Sequence, residues 1–255
     1  MTKDKKNQKK GKKKRHWLMN SLIVLLVLVG LGLILNKPIR NFIIGLNINR
    51  YQVSNYSAKE LANNKKKAAN FDFSQVKSVD FQSVVGAQMN TQQLPVIGGI
   101  AIPDVSINLP IFNGLDSQQL LFGAGTMKPT QQMGQGNYAL ASHHVFAVTG
   151  ASQYLFSPLT GAKDGMKIYL TDKDYIYTYT ITKVYTVDPN AGYVIDDPAP
   201  GSQPEITLVT CTDLEAEGRI IVRGTLDKEN GKIPFSKATP AMTAAFDKKY
   251  NQWKS

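Results

Sequence analysis

Cys211 is the only cysteine among 255 residues, and it closes a run of β-branched and aliphatic residues, Ile206-Thr207-Leu208-Val209-Thr210. Such a run predicts a strand, so the thiol stands at a strand end, where a rigid support could present a nucleophile. Arg219 follows eight positions later, and His143 and His144 are the only imidazoles outside the basic N-terminal tail. A thiol, an imidazole and a guanidinium suffice for acyl transfer through a thioester: a nucleophile, a proton carrier and a group that stabilises an oxyanion. Each also has a plain structural reading. A free cysteine is often a small core hydrophobe, and an arginine at a strand end is commonly a surface cation. Thiol reactivity turns on pKa and exposure.

The elements that must position these groups are short strands separated by turn residues. The pattern predicts strands at 97–103, 107–111, 137–142, 167–171, 175–182, 184–187, 206–211 and 219–223. Aromatic or aliphatic residues alternate with threonine between Tyr175 and Thr182, the mark of a sheet with one face on a core. Asp116 can cap a short helix carrying Leu120, Leu121 and Phe122. Thr239 and Pro240 can open a C-terminal helix whose Met242, Phe246, Tyr250 and Trp253 recur at helical spacing. About eight short strands with little helix point to an all-β, closed or nearly closed barrel. In a hairpin of the last two strands, Cys211 and Arg219 come near each other. The connection from Asp188 to Pro204 holds four prolines, and loops of that length are commonly functional or disordered.

Composition adds a second theme. The formal charge is +11, but residues 1–16 hold eight lysines and Arg15 against Asp4, a net +8 that leaves +3 for the rest. A basic nucleic-acid face is therefore not supported. The tail runs into an apolar stretch, Trp17 to Leu35, about 28 Å long as a helix and close to the bilayer's hydrocarbon thickness. No small-x-small cleavage site follows, which favours an uncleaved anchor over a signal peptide. The positive-inside rule then leaves residues 1–16 in the cytoplasm, 17–35 in the membrane and the rest outside the cell. Residues 36–80 read as a polar spacer, with Ser57 and Glu60 able to form a capping box, and 81–255 as the catalytic domain with its C-terminal helix. An unpaired thiol outside the cell is a position to flag. One cysteine and three histidines argue against a structural zinc cluster.

These pieces resemble the class A sortases, membrane-anchored cysteine transpeptidases of Gram-positive surfaces. The matching residues are Thr207 to Cys211 with Arg219, Ala141-Ser142-His143-His144, and Ile102-Pro103 through Leu109-Pro110-Ile111 ahead of Gly123-Ala124-Gly125. The resemblance covers roughly residues 97–224 and implies the sortase eight-stranded β-barrel with short helices, preceded by a single N-terminal transmembrane helix. It implies cleavage of the Thr-Gly bond in C-terminal Leu-Pro-any-Thr-Gly (LPXTG) signals of surface proteins, and transfer of the threonine to an amine of a peptidoglycan precursor such as lipid II. By the same resemblance Cys211 is the nucleophile, His143 the acid and base, Arg219 the substrate and oxyanion group, and Thr210 a helper in substrate and oxyanion contacts. His144 is a structural neighbour of His143, and an imidazolium and a guanidinium beside Cys211 are expected to favour its thiolate.

Some class A members bind calcium through acidic residues ahead of the catalytic histidine. Residues 123–135 contain no aspartate or glutamate, so no calcium or other cofactor is expected. Two other readings are a membrane-tethered binding module with a buried, inert cysteine, and a cysteine L,D-transpeptidase. The latter places His-Gly just before its cysteine, where this chain has Val209-Thr210.

Overall fold

The computed structural model describes residues 3–73, 76, 79–89, 93–146, 153–213 and 217–250. They fall into two compact units, Met1–Ile39 and Arg40–Ser255. One helix, α1, spans Lys3–Arg50, and the division falls just after its internal Pro38, which lacks the N–H an α-helix needs at that position. In the first unit residues 17–35 are solvent-facing and apolar, and the helix from Trp17 is long and apolar enough to cross a membrane.

The second unit is built on nine strands: β1 (Val96–Ile102), β2 (Ile107–Phe112), β3 (Ala124–Thr126), β4 (Asn137–Ala141), β5 (Lys167–Thr171), β6 (Tyr175–Val187), β7 (Glu205–Cys211), β8 (Arg219–Leu226) and β9 (Lys232–Pro234). Their order is β5-β1-β2-β3-β4-β7-β8-β6-β9, and β5 also pairs with β6. Eight strands thus close into a barrel, with β9 added outside β6. Closure removes the unpaired edges that an open sheet would expose.

Two expectations are corrected in detail. The stretches at 175–182 and 184–187 form one strand, β6, whose register shifts between Ile181 and Lys183; a bulge of this kind bends a strand without ending it. β3 and β9, three residues each, lie outside the predicted strands.

The segment read as a spacer belongs in large part to the folded body. Ile44 and Ile48 of α1, Tyr51, Val53 and Leu61 are buried in the main core with Ile100, Leu109 and Phe112. The Tyr51 ring meets Phe112 edge-on at 5.8 Å, and Gln52 Nε2 donates to the buried Asn108 carbonyl at 2.9 Å. This layer covers the outside of the barrel, which is why all of β1 and β2 is buried rather than alternating. The expected capping box at Ser57 and Glu60 starts α2 (Ala58–Asn64), and α3 (Phe81–Met89) follows. Asp116 caps α4 (Ser117–Leu120), and Thr239 caps α5 (Pro240–Ala245), bonding Met242 N. Asn108 Nδ2 holds the C-terminal segment through the carbonyls of Phe246 (2.9 Å) and Lys248 (2.8 Å). Trp253 lies outside the described residues.

Candidate active site

β4 and β7 are parallel neighbours, with Ala141 opposite Val209. Parallel pairing brings both C-terminal ends to one rim of the barrel, so the histidines just after β4 arrive beside the cysteine that ends β7. β8 returns antiparallel from the same rim with Arg219 directly opposite Cys211. His143, His144, Thr210, Cys211 and Arg219 therefore share one cleft of about 290 Å³.

The histidine segment is fixed from both flanks. Ser142 N donates to Val209 O at 3.2 Å, Ser142 Oγ to Gly123 O at 2.7 Å, and Thr210 Oγ1 to Ser142 O at 2.9 Å. A side chain at Gly123 would meet Pro110 O at 2.5 Å, so glycine lets the chain pass close to β2 at the point where its own carbonyl meets Ser142. On the far side Phe156 N donates to His143 O at 3.1 Å and Val145 N to Ser157 Oγ at 2.8 Å. Leu155, bridged to His144, is buried with φ 54, a left-handed state that a branched side chain adopts only when its surroundings impose it.

The two imidazoles differ. His144 is half-buried, stacked on Phe146 at 3.9 Å, and its Nδ1 lies 2.9 Å from the Cys211 carbonyl. A carbonyl only accepts, so Nδ1 carries the proton. Burial lowers the His144 pKa, and that hydrogen bond partly offsets the effect. His143 Nε2 is enclosed without a protein partner, and burial pushes its pKa down to about 4. The Cys211 thiol is pushed up by burial, against the pull of Arg219, with Asp213 adding to the rise. The expectation of a favoured thiolate is thereby corrected: desolvation outweighs the guanidinium at Cys211, and burial favours the neutral form of both the thiol and the His143 imidazole.

Thr210 is 2% exposed. As the residue before Cys211 on a strand it points to the opposite face, and its hydroxyl is committed to Ser142 O. Arg219 donates from Nη1 to Gly218 O at 3.0 Å, and its guanidinium stands 5.8 Å from the centre of the Phe73 ring. Phe73, Val76, Val79 and Arg40 also line the cleft. They come from the stretch read as a spacer, where scattered apolar residues among asparagine and lysine carry no periodic signal.

Two further residues escaped the sequence reading. Asn137, wholly buried at the start of β4, donates from Nδ2 to Val194 O at 3.1 Å and Asp196 O at 3.0 Å. Arg223 gives Nη2 to Val194 O at 2.6 Å and pairs with Glu205 at 3.0 Å. Together they tie the β6–β7 connection to the barrel. Lys128, between β3 and β4, reaches the same connection through Asp197 at 2.6 Å. Among the described residues no group of three or more His, Cys, Asp or Glu side chains could hold a metal ion.

Comparison with known proteins gives one family. A family model described as the sortase domain matches residues 100–227. The chain is 55% identical over 248 residues to sortase A of Streptococcus agalactiae serotype III, covering 95% of this chain and 98% of that protein. It is 36% identical over 212 residues to sortase A of Listeria monocytogenes, covering 83% and 92%. The solved structure of Listeria monocytogenes sortase A superposes with a TM-score of 0.52 at 38% identity, over 59% of this chain and 96% of that one. Sortase C-3 of Streptococcus pneumoniae, at 17% identity and a TM-score of 0.55 over 80% and 98%, shares the fold. With a barrel that sets a cysteine opposite an arginine and beside a histidine pair, and with these matches over most of its length, the chain belongs to the sortase family.

Proposed function

We propose that Cys211, His143 and Arg219 carry the sortase reaction of this chain. The enzyme is a cysteine transpeptidase that cleaves the Thr-Gly bond of LPXTG signals and anchors surface proteins to the cell wall. The observation that carries the assignment of residues is the direct Cys211–Arg219 pairing at the rim where β4 delivers the histidines.

In the first step His143 Nε2 takes the thiol proton and the Cys211 sulfur attacks the threonine carbonyl. A C–S bond forms, and the carbonyl electron pair moves onto oxygen, where the Arg219 guanidinium stabilises it. Collapse breaks the C–N bond as the imidazolium protonates the leaving glycine amine. In the second step the acceptor amine attacks the thioester, His143 removes its proton, and the thiolate departs. The neutral resting pair suits this sequence, since each step needs one proton passed between sulfur and nitrogen rather than a permanent thiolate. Thr210, with its hydroxyl on Ser142 O, acts as a positioning residue that holds the histidine segment against β7. His144 serves the same end through the Cys211 carbonyl.

The acceptor is an amine of a peptidoglycan precursor such as lipid II. That role accords with an anchor at residues 17–35, a cytoplasmic tail at 1–16 and a body outside the cell. Activity needs no calcium: a hard cation needs several oxygen ligands, and residues 123–135 supply no carboxylate. The test is mass spectrometry after incubation with an LPXTG peptide and hydroxylamine. The threonine hydroxamate is expected from the native chain and absent with Cys211→Ala; no hydroxamate from the native chain would put the binding module first.

A further inference from the structure

The part of α1 within the body, Arg40–Arg50, turns Asn41, Ile44 and Ile48 inward and leaves Phe42 and Leu46, four residues apart, 50% and 51% exposed. α3 packs beside it through Asn47 Nδ2 to Gln88 Oε1 at 2.6 Å, and Arg40 Nη1 donates to Val79 O, just ahead of α3, at 3.3 Å. It buries Val84 and leaves Phe81 39% and Met89 79% exposed. Among the described residues of the body, the other large exposed apolar side chains are Phe73, on the catalytic cleft, and Tyr175 and Tyr193, each with a hydroxyl that water can satisfy. Among the described residues of the body, exposed aliphatic and phenyl surface away from the cleft is therefore confined to these two helices. A soluble surface seldom keeps such a patch without a partner.

Charge and chain distance identify the partner. Residues 37–67 hold seven lysines and arginines against the single acid Glu60, and Arg50, Lys59, Lys65, Lys66 and Lys67 are exposed. Phe42 follows the last residue of the apolar stretch, Leu35, by only seven positions on the same helix. We propose that α1 beyond Pro38 and α3 form a membrane seat. Phe42, Leu46, Phe81 and Met89 enter the boundary between headgroups and acyl chains, and the cations of residues 37–67 meet anionic lipid phosphates. Since Arg40 and Val79 also line the cleft, the seat fixes the height and tilt at which the cleft meets a lipid-borne acceptor. The inference rests on the reading of residues 17–35 as a membrane anchor.

The full chain carrying Trp17→Phe and Trp253→Phe is reconstituted in phosphatidylglycerol–phosphatidylcholine vesicles whose acyl chains are brominated. Single tryptophans are then introduced by Val27→Trp in the span, by Phe42→Trp, Leu46→Trp or Met89→Trp on the seat, and by Glu229→Trp between β8 and β9. The expected result is strong quenching at Val27, quenching by about half at the three seat positions, as for side chains about 5–10 Å into the interface, and almost none at Glu229. Quenching at Val27 with seat positions as bright as Glu229 overturns the seat and leaves the anchor standing. No quenching at Val27 overturns both. Equal quenching at Glu229 means general adsorption and also overturns the seat, as does energy transfer between labelled copies that replaces lipid quenching at Met89, which would make the occupant a second copy.

Discussion

Cys211 and Arg219 are direct partners across the β7–β8 ladder, so their side chains leave the sheet on the same face. Arg219 lowers the pKa of the thiol, which burial otherwise raises. Arg219→Ala should therefore shift the pH dependence of Cys211 alkylation upward and, by removing an oxyanion partner, reduce kcat about 10²- to 10³-fold. Arg219→Lys keeps the charge but not the planar fork, so the thiol titration should stay near native while kcat falls. An unchanged kcat in Arg219→Lys would show that charge alone is needed.

The histidines should separate just as cleanly. His143 Nε2 is enclosed and uncommitted to any protein partner, whereas His144 Nδ1 is engaged with the Cys211 carbonyl. His143→Ala should abolish hydroxamate formation, and His144→Ala should weaken it, by about the worth of one hydrogen bond, roughly 1 kcal/mol or less than tenfold. The reverse ranking would reassign the proton carrier.

A neutral resting pair predicts a broad pH profile. The reacting state, thiolate with imidazolium, holds the same number of protons as thiol with imidazole, so its share is constant between the two pKa values. For the free enzyme kcat/KM should be flat through neutrality, falling on the acid side only near pH 4, where His143 gains its proton, and on the alkaline side above the raised thiol pKa. An acid limb near pH 6.5 would mean a solvated imidazole. The same burial bears on stability. The unfolded chain protonates His143 near its ordinary value, so between that value and pH 4 it binds more protons than the folded one. Stability contributed at neutral pH is then lost as pH falls through this window. His143→Gln should flatten that loss in a denaturant titration at pH 5 against pH 7.

The placement of Cys211 beside Arg219 was legible because a hairpin is a local object: a strand, a turn and a strand fix the pairing. The histidines were legible by resemblance; their route to the thiol runs through a parallel pair 68 residues apart at Ser142 and Thr210, which leaves no local pattern. β3 is Ala-Gly-Thr, too short and too small to carry alternation. The burial of Ile44 and Ile48 was masked by asparagines around them, although Asn41, Ile44 and Ile48 do keep helical spacing. The Thr210 hydroxyl could not be assigned from its neighbours in sequence, since strand alternation says which face it takes and not which carbonyl waits there.

A chelator should leave transpeptidation unchanged, and added calcium should not raise it, because the stretch ahead of the histidines, residues 123–135, has no carboxylate to hold the ion. The check is initial rate in the presence of excess chelator and again after calcium is restored. A large loss that calcium reverses would refute the assignment.

The β6–β7 connection should depend on Asn137 far more than on the Lys128–Asp197 ion pair. Asp197 is 66% exposed at its side chain, so solvent screens the Lys128 contact to no more than about 1 kcal/mol. Asn137 is wholly buried and serves the carbonyls of Val194 and Asp196 and the hydroxyl of Thr207. Asn137→Ala strands those buried groups at a cost of about 1–3 kcal/mol each for any left unsatisfied, and loosens Val194, which packs with Leu115, Leu120 and Val209 in the apolar cluster behind the cleft. Asn137→Ala should therefore lower the unfolding midpoint and raise KM for the signal peptide, with a smaller change in kcat because Cys211 and Arg219 stay paired. Lys128→Met should move each quantity only slightly. If Lys128→Met raised KM as much as Asn137→Ala, the exposed pair rather than the buried amide would be holding the β6–β7 connection in place.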